Sequence, residues 1–563
     1  MRFKRIRAAA LCATCLAALP ALAPPASADG GEAGEYIVCL SEAPDTRGSA
    51  LTAVPYAEGY YVADSLADVL PLLTDGTVVR LARSETLSLL DAPDDPALDR
   101  QWYLDALGMD ALWDRDCDGA GVRVAVIDSG VNFEHEEFAD ADLTGHNFLG
   151  SGDAPDDWGD DVGHGTLVTG ILAAGRGNGV GGSGLTPRAS VMALRCFSSQ
   201  SGSAVSGNGQ PETVISAIGW AIENHADVIN MSFGSTSASL SILEPILQRA
   251  ADAGILLVAA VGNSGGATLY YPAAFDCVTG VGWTTESGAT RSQHNASVFA
   301  AAPGSGVYGP DKGGADAYRT DSGSSYSTPM VTALAVMAKQ KDRAIGLDGF
   351  RRLLRLCARD MGDEGWDEYY GYGVVSAEAF ADALEAPQPI VYECGGGRIT
   401  SGDAPESYRI GRGAEAVLPE SAERAGYVFG GWYLDEDCDG EPISAIPDGS
   451  VGEVTLYAKW TPSVALSEAR ACVGEDGEDY CAVTIRSLPA ANGMAYAARY
   501  DADGRFLGCE AAALAEGETE YAVRREGAAV VRFFALSAEG APLSMCEESP
   551  PDADVPSDHG KNQ

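Results

Sequence analysis

The sequence predicts an α/β fold: a parallel sheet with helices on both faces, preceded by a small α+β segment and followed by two small β modules. Three observations carry this. Between about residues 121 and 341, short and nearly unbroken apolar runs alternate with helical patterns. Several of those runs end in turns bearing Gly, Ser, Asn or Asp. After Leu384 the helical periodicity stops, and segments alternating aromatic with other residues take over. Unbroken apolar runs suit strands covered on both faces, and strand–helix alternation builds a parallel sheet.

The chain of 563 residues is long enough for several domains, and 46% of it is hydrophobic. Against 37 Lys and Arg stand 81 Asp and Glu, a formal charge of −44. Such acidity argues against nucleic acid or anionic membrane as a partner, and it names no substrate. At the N-terminus Arg2, Lys4, Arg5 and Arg7 precede an apolar run from Ala8 to Leu22, and Ala26-Ser27-Ala28 has the form of a cleavage site. Residues 1–28 therefore read as a signal peptide, too short in its apolar run for a good spanning helix. The polar stretch 549–563 reads as a disordered tail with no hydrophobic anchor, so the expectation is an exported protein. Of 13 cysteines, Cys12 and Cys15 fall inside the signal, while six crowd the last third. Export permits disulfides, and Cys472 with Cys481 is a reasonable hairpin pair, although sequence leaves the pairing open. No cysteine spacing resembles a zinc site.

Taken in order, residues 36–40 read as a strand, 65–73 as a helix and 77–81 as a strand. Asp94-Asp95-Pro96 reads as an exposed linker leading into an anchored arm that carries Trp102 and Trp113. The run to Ile127 is a buried strand with Asp128 at its carboxyl end, the edge where open α/β sheets build their sites. His164 opens an apolar helix between two glycines, a setting that none of the other five histidines shares. Residues 190–194 form a strand and 213–224 an amphipathic helix. Residues 226–232 form a strand leading into Phe233-Gly234, 243–253 a helix, and 255–261 a strand ending in Gly262-Asn263. In Thr320 to Met337, Gly323 permits a close approach ahead of a helix entry, with Ser325 at the positive end of the helix dipole. Pro329 is expected in the first helical turn, and Met330, Val331, Leu334 and Met337 on a buried face.

Each of these polar residues alone is most simply a turn or cap. Together they supply an acid, an imidazole, an amide and a hydroxyl at one sheet edge, in a chain order known for Asp-His-Ser triads. The segments VAVIDSGV, GHGTLVTGI, ADVINMSFG, VAAVGNSG and GSSYSTPMV resemble the signature segments of subtilisin-like serine peptidases, in family order between about residues 96 and 384. The resemblance implies a secreted serine endopeptidase acting on polypeptides. In it Asp128, His164 and Ser325 match the triad and Asn263 the oxyanion amide, while Ser232, Phe233 and Gly234 match the substrate-pairing segment. It also implies an inhibitory propeptide over residues 29–90, removed by a cut between Leu81 and Asp95, ahead of a peptidase domain at 96–385. Leu167, Ser324 and Ser327 depart from the usual pattern without touching the chemistry. The loop Gly175 to Pro187 corresponds to a calcium loop in many relatives, yet Asn178 is nearly its only oxygen-bearing candidate. A structural calcium is thus weakly supported, and no cofactor is expected.

Glu385 to Pro389 reads as a linker. Residues 390–461, through GYVFGGWY and LYAKW, resemble a Listeria–Bacteroides (internalin B-type) repeat, a β-grasp-like module of bacterial surface proteins that implies contact with the cell envelope. Residues 463–548 read as a further β module of no recognised family, with Asp503-Gly504 as a hairpin turn. The alternative function is a non-catalytic surface-binding or adhesion protein that keeps the peptidase fold. A complete set of catalytic residues argues against it, because an idle site has no physical need for them.

Overall fold

The computed structural model describes residues 36–41, 51–53, 60–63, 65–74, 77–83, 95–149, 154–199, 207–488, 493–538, 540 and 542–547. The signal peptide, most of the stretch between Leu81 and Asp95, and the C-terminal tail lie outside the described residues. The chain divides into two units, residues 1–92 and 93–563.

In the first unit, Tyr36–Leu40 is the inner strand of an antiparallel sheet with Tyr60–Ala63 and Val78–Arg83 on either side, and Leu51–Ala53 outside Tyr60–Ala63. Helix Leu66–Thr74 accompanies this sheet, and Val38, Leu40, Tyr61, Val69 and Val78 make a small core.

The second unit is organised by a nine-stranded sheet. Its neighbouring strands are parallel except at one edge, where Ala358–Arg359 runs antiparallel to Val374–Val375. Strand Arg123–Asp128 lies between Val228–Met231 and Ser190–Arg195. The apolar runs are fully used, because alternate residues face opposite layers. Val124 and Val126 join a core with Leu167, Ile171, Met330 and Leu334, whereas Ala125 and Ile127 join another with Val214, Ile218 and Leu247. Helices His164–Ala173 and Ser324–Lys341 thus cover one face, and Pro211–Glu223 and Glu244–Asp252 the other. Strands Thr279–Thr284 and Ala300–Pro303, rich in Gly and Ala, carry too weak an apolar pattern to be read from sequence.

Pro329 corrects the sequence reading. The helix already begins at Ser324, so the proline sits in its second turn and leaves the Ser325 carbonyl without its usual i+4 donor. Ser232 Oγ fills that place, donating to Ser325 O at 2.8 Å. Behind it, Asn230 Nδ2 donates to Ser232 Oγ and Thr332 Oγ1 to Asn230 Oδ1, at 2.9 and 2.8 Å.

The expected linker after Leu384 is also shorter than sequence suggested. Helix Ala377–Glu385 is followed almost at once by strand Gln388–Glu393, which pairs in parallel with Val454–Pro462. Trp432, donating from Nε1 to Pro419 O, anchors the repeat's core with Ile390, Tyr408 and Leu456. Two residues of this region, Ile410 and Val451, pack instead into the core that holds Leu167 and Met330. The last module is a sandwich of two four-stranded sheets, with Val483, Ile485 and Val523 of one against Ala497, Val531 and Phe533 of the other. Its hairpin Gly493–Tyr500 to Phe506–Ala513 turns at Asp503-Gly504. In the neighbouring hairpin Cys472 pairs with Tyr480, and Cys481 with Ala471. Side chains alternate faces along a strand, so the two sulfurs point to opposite sides and the expected disulfide is not formed.

Candidate active site

Asp128 ends its strand at the carboxyl edge of the sheet and is only 4% exposed. Its Oδ1 accepts from the Ser129 N–H at 2.7 Å and from His164 Nδ1 at 2.8 Å. Among the described residues its Oδ2 has no hydrogen-bond partner, which leaves a buried carboxylate aimed at the imidazole. Burial disfavours charge on His164, but the charge and hydrogen bond of Asp128, with Asp160 behind, outweigh it. The net effect holds the imidazole pKa above its ordinary value, with Arg319 opposing the rise.

Helix His164–Ala173 begins after Gly163, which has no side chain to cap it. Two nearby oxygens do that work. Asp160 Oδ2 accepts from Thr166 N and Oγ1 at 2.9 and 2.6 Å, and Ser129 Oγ accepts from Gly165 N at 2.9 Å. Asp160 Oδ1 also takes the N–H groups of Val162 and Gly163 and the Ser129 hydroxyl. Gly165 is required by packing, since a Cβ there would lie 2.2 Å from Gly130 O and 3.1 Å from Asp128 Oδ1. The capping role of Asp160 was not read from sequence, although an acid shortly before a helix is a recognisable signal.

Ser325 stands in the first turn of Ser324–Lys341, where the helix leaves N–H groups without intrahelical acceptors. Its Oγ donates to Ser232 O at 2.9 Å, reciprocating the Ser232 bond to Ser325 O. Beside it, Asn263 Oδ1 accepts from Ser324 N at 2.7 Å and Ser324 Oγ at 2.9 Å. The backbone N–H is an unambiguous donor, so it fixes which end of the amide is oxygen and turns Nδ2 away from it. Gly323, at φ +150°, belongs here because a Cβ would press within 3.1 Å of Asn263 Nδ2.

A cavity of about 410 Å³ opens against Ser325 and Asn263, lined also by Phe233, Gly234, Gly262 and Tyr270, with no charged side chain in its wall. Phe233 and Gly234 therefore border this space, while Ser232 is locked to Ser325 beneath it. The four other described histidines serve packing or turns: His135 bridges Ala317 O and Glu137 N, His146 stacks on Trp220, His294 stacks on Tyr369, and His225 lies at φ +57° in the turn after helix Pro211–Glu223.

The loop after helix His164–Ala173 has more oxygen near it than the sequence suggested, from Asp95 and Glu137. These carboxylates accept hydrogen bonds from the loop itself. Asp95 takes Gly177 N and Gly179 N at 2.8 and 3.0 Å, and Glu137 takes Gly182 N at 2.7 Å and Asn178 Nδ2 at 3.4 Å. Calcium needs oxygens turned inward, whereas this loop turns its N–H groups towards the acids, so these residues do not fit the ion. Among the described residues no group of three His, Cys, Asp or Glu is placed to hold a metal.

A parallel sheet with an acid–imidazole pair, a serine at a helix start and an amide beside it, all at one edge, is an arrangement suited to serine hydrolase chemistry. The subtilase family description matches residues 119–373, and that of the Listeria-Bacteroides repeat domain residues 390–459. The chain is 34% identical over 269 residues to Subtilisin DY of Bacillus licheniformis, covering 47% of this chain and 92% of that protein. It is 32% identical over 280 residues to Subtilisin Savinase of Lederbergia lenta, covering 49% and 97%. With the Minor extracellular protease Epr of Bacillus subtilis (strain 168), it shares 33% identity over 296 residues, covering 52% of this chain but only 43% of that relative. The chain belongs to the subtilase family, and with it to the serine-type endopeptidases.

Proposed function

We propose that this chain is an exported endopeptidase that cleaves polypeptides through an acyl-enzyme on Ser325, made as a precursor and matured by its own activity. The observation that carries the reading is the 2.8 Å Asp128–His164 pair at the same sheet edge as Ser325 and Asn263. For attack, the Ser325 hydroxyl turns from Ser232 O to His164 Nε2. The imidazole takes the proton as Oγ bonds to the peptide carbonyl carbon, and Asp128 holds the ring in the required tautomer. The negative oxygen is met by Asn263 Nδ2 and the Ser325 N–H, reinforced by the helix dipole. Collapse breaks the C–N bond, with the proton passing from His164 to the leaving amine. Water then follows the same route to release the acid and restore Ser325.

The peptide chain lies extended along Ser232, Phe233 and Gly234. The uncharged wall of the neighbouring cavity supports an apolar or aromatic side chain before the scissile bond. The N-terminal signal and the repeat support export, followed by secretion or retention at a bacterial cell surface. Among the described residues no helix is long and apolar enough to cross a membrane. Residues 29–90 serve as an intramolecular inhibitor until they are cut away. On this reading the loop after helix His164–Ala173 holds its shape without a cation, because its N–H groups engage Asp95 and Glu137. EDTA should therefore leave peptidase activity unchanged.

Ser325→Ala tests the reading as a whole. The variant should fold, cleave no peptide and retain its N-terminal segment. A fully processed, active Ser325→Ala protein would refute it.

A further inference from the structure

The residue after the serine is a tyrosine with an environment of its own. The Tyr326 side chain is buried, and its ring centroid lies 5.4 Å from that of His164, tilted by 43°. Its hydroxyl donates to Asp321 Oδ2 at 2.8 Å and accepts from Arg319 Nη2 at 3.4 Å. Arg319 and Asp321 form an ion pair on strand Tyr318–Asp321, and Arg319 Nη1 lies 3.6 Å from Asp311 Oδ1. The same groups close on the residue before His164. A Cβ on Gly163 would meet Asp311 Oδ1 at 2.8 Å and Arg319 Nη1 at 3.1 Å. One guanidinium therefore connects the approach to His164 with the residue following Ser325. The hairpin that carries it, Val307–Pro310 with Tyr318–Asp321, is seated on helix His164–Ala173: Pro310 packs at Gly170 and Gly309 at Leu167.

We propose that Tyr326, Asp321 and Arg319 act together as positioning residues, holding the His164 ring in register with Ser325. A phenol tethered at its far end cannot swing away, so its ring limits the rotation of the imidazole packed against it. The tether persists across working pH. Burial and Asp321 keep the Tyr326 hydroxyl protonated, while its bonds to Tyr326, Ser322 N and Arg319 hold Asp321 below the usual carboxylate range despite burial.

The titratable and charged groups facing the imidazole come from four elements. They are Asp128 on its strand, Asp160 ahead of the helix, Arg319 on the hairpin with Asp321 and Asp311 beside it, and the neutral Tyr326. Lys312, also near Gly163, is engaged with the Asp161 carbonyl. The acids favour the imidazolium and Arg319 opposes it. Removing Arg319 takes away that opposition and leaves Asp321 without its cation, and both changes move the His164 midpoint upward.

The proposal rests on His164 as the catalytic base, and two readouts keep the claims separable. In full-length Ser325→Ala protein with labelled histidine, NMR titration should place the His164 midpoint higher in Arg319→Gln than in the parent, and Arg319→Lys should restore it. In active protein, with kcat normalised to fluorophosphonate-titrated sites, Tyr326→Leu should lower kcat on the order of tenfold to a hundredfold with KM unchanged. Tyr326→Phe, which keeps the ring, should fall between Tyr326→Leu and the parent. An unmoved midpoint in Arg319→Gln, or a Tyr326→Leu effect confined to KM, would overturn the proposal. A parent that cleaves nothing would instead defeat the peptidase reading, and the titration would still decide the contact.

Discussion

At the scale of single residues, hydrogen-bond partners restrict each group of the proposed site to one task. His164 has Nδ1 committed to Asp128, so Nε2 is the nitrogen left to face substrate. Its raised pKa has a direct consequence: the ring must be neutral to accept the Ser325 proton, so kcat/KM should climb with pH through a midpoint above the ordinary histidine value. Asp128→Asn should move that midpoint down and lower kcat by about 10⁴, measured across a pH series on a peptide substrate. Asn263 is committed in the same way, since its oxygen is held by Ser324 and only Nδ2 remains to donate. Asn263→Ala should cost roughly 10²–10³ in kcat with little change in KM, because the donor acts on charge that appears only in the transition state.

At the scale of elements, two features hold the site's supports. The Ser324–Lys341 helix tolerates Pro329 because Ser232 supplies the hydrogen bond the proline forfeits. Ser232→Ala leaves that carbonyl and Asn230 Nδ2 short of a partner. It should cost about 1–3 kcal/mol, read by denaturant unfolding in a Ser325→Ala background that prevents autolysis. The loop after His164–Ala173 is held by buried Glu137, whose carboxyl burial pushes up to about 7 from 4.5, with Asp95 adding to the rise against the Gly182 and Asn178 bonds. A folded-state pKa above the unfolded one means that this group's stabilisation is complete below 4.5 and is lost as pH rises through about 7. Glu137→Gln should flatten the thermal stability profile across that window.

The same elements show what could be read from sequence and what could not. The placing of Asp128, His164, Asn263 and Ser325 at one sheet edge was legible because each sits at a strand or helix end marked by glycine and small residues. The sheet was legible wherever Val and Ile ran unbroken. The roles of Asp95 and Glu137 were not, because neither lies in the loop it holds: Asp95 reads only as part of a linker, and Glu137 carries no motif. Pro329 was misplaced because the helix start is supported by a hydrogen bond from Ser232 Oγ to Ser325 O, over ninety residues apart in the chain.

At the scale of the whole molecule, the repeat is not a free spacer. Ile410 and Val451 share the peptidase core with Ile345 and Phe350, Gly449 N donates to Asp342 Oδ2 at 2.7 Å, and Arg409 reaches Glu385 O at 2.8 Å. No periodicity announces such docking, since it depends on two separated loops arriving beside one helix end. Ile410→Ala should therefore destabilise the peptidase itself by roughly 2–5 kcal/mol, seen as a lowered melting temperature in the Ser325→Ala background. The central claim, however, is chemical: one serine is activated by this histidine. Fluorophosphonate labelling followed by peptide mapping tests it most directly. The label should fall on Ser325 in the parent protein and be lost in His164→Ala. A label on another residue, or one that persists undiminished without His164, would contradict the account.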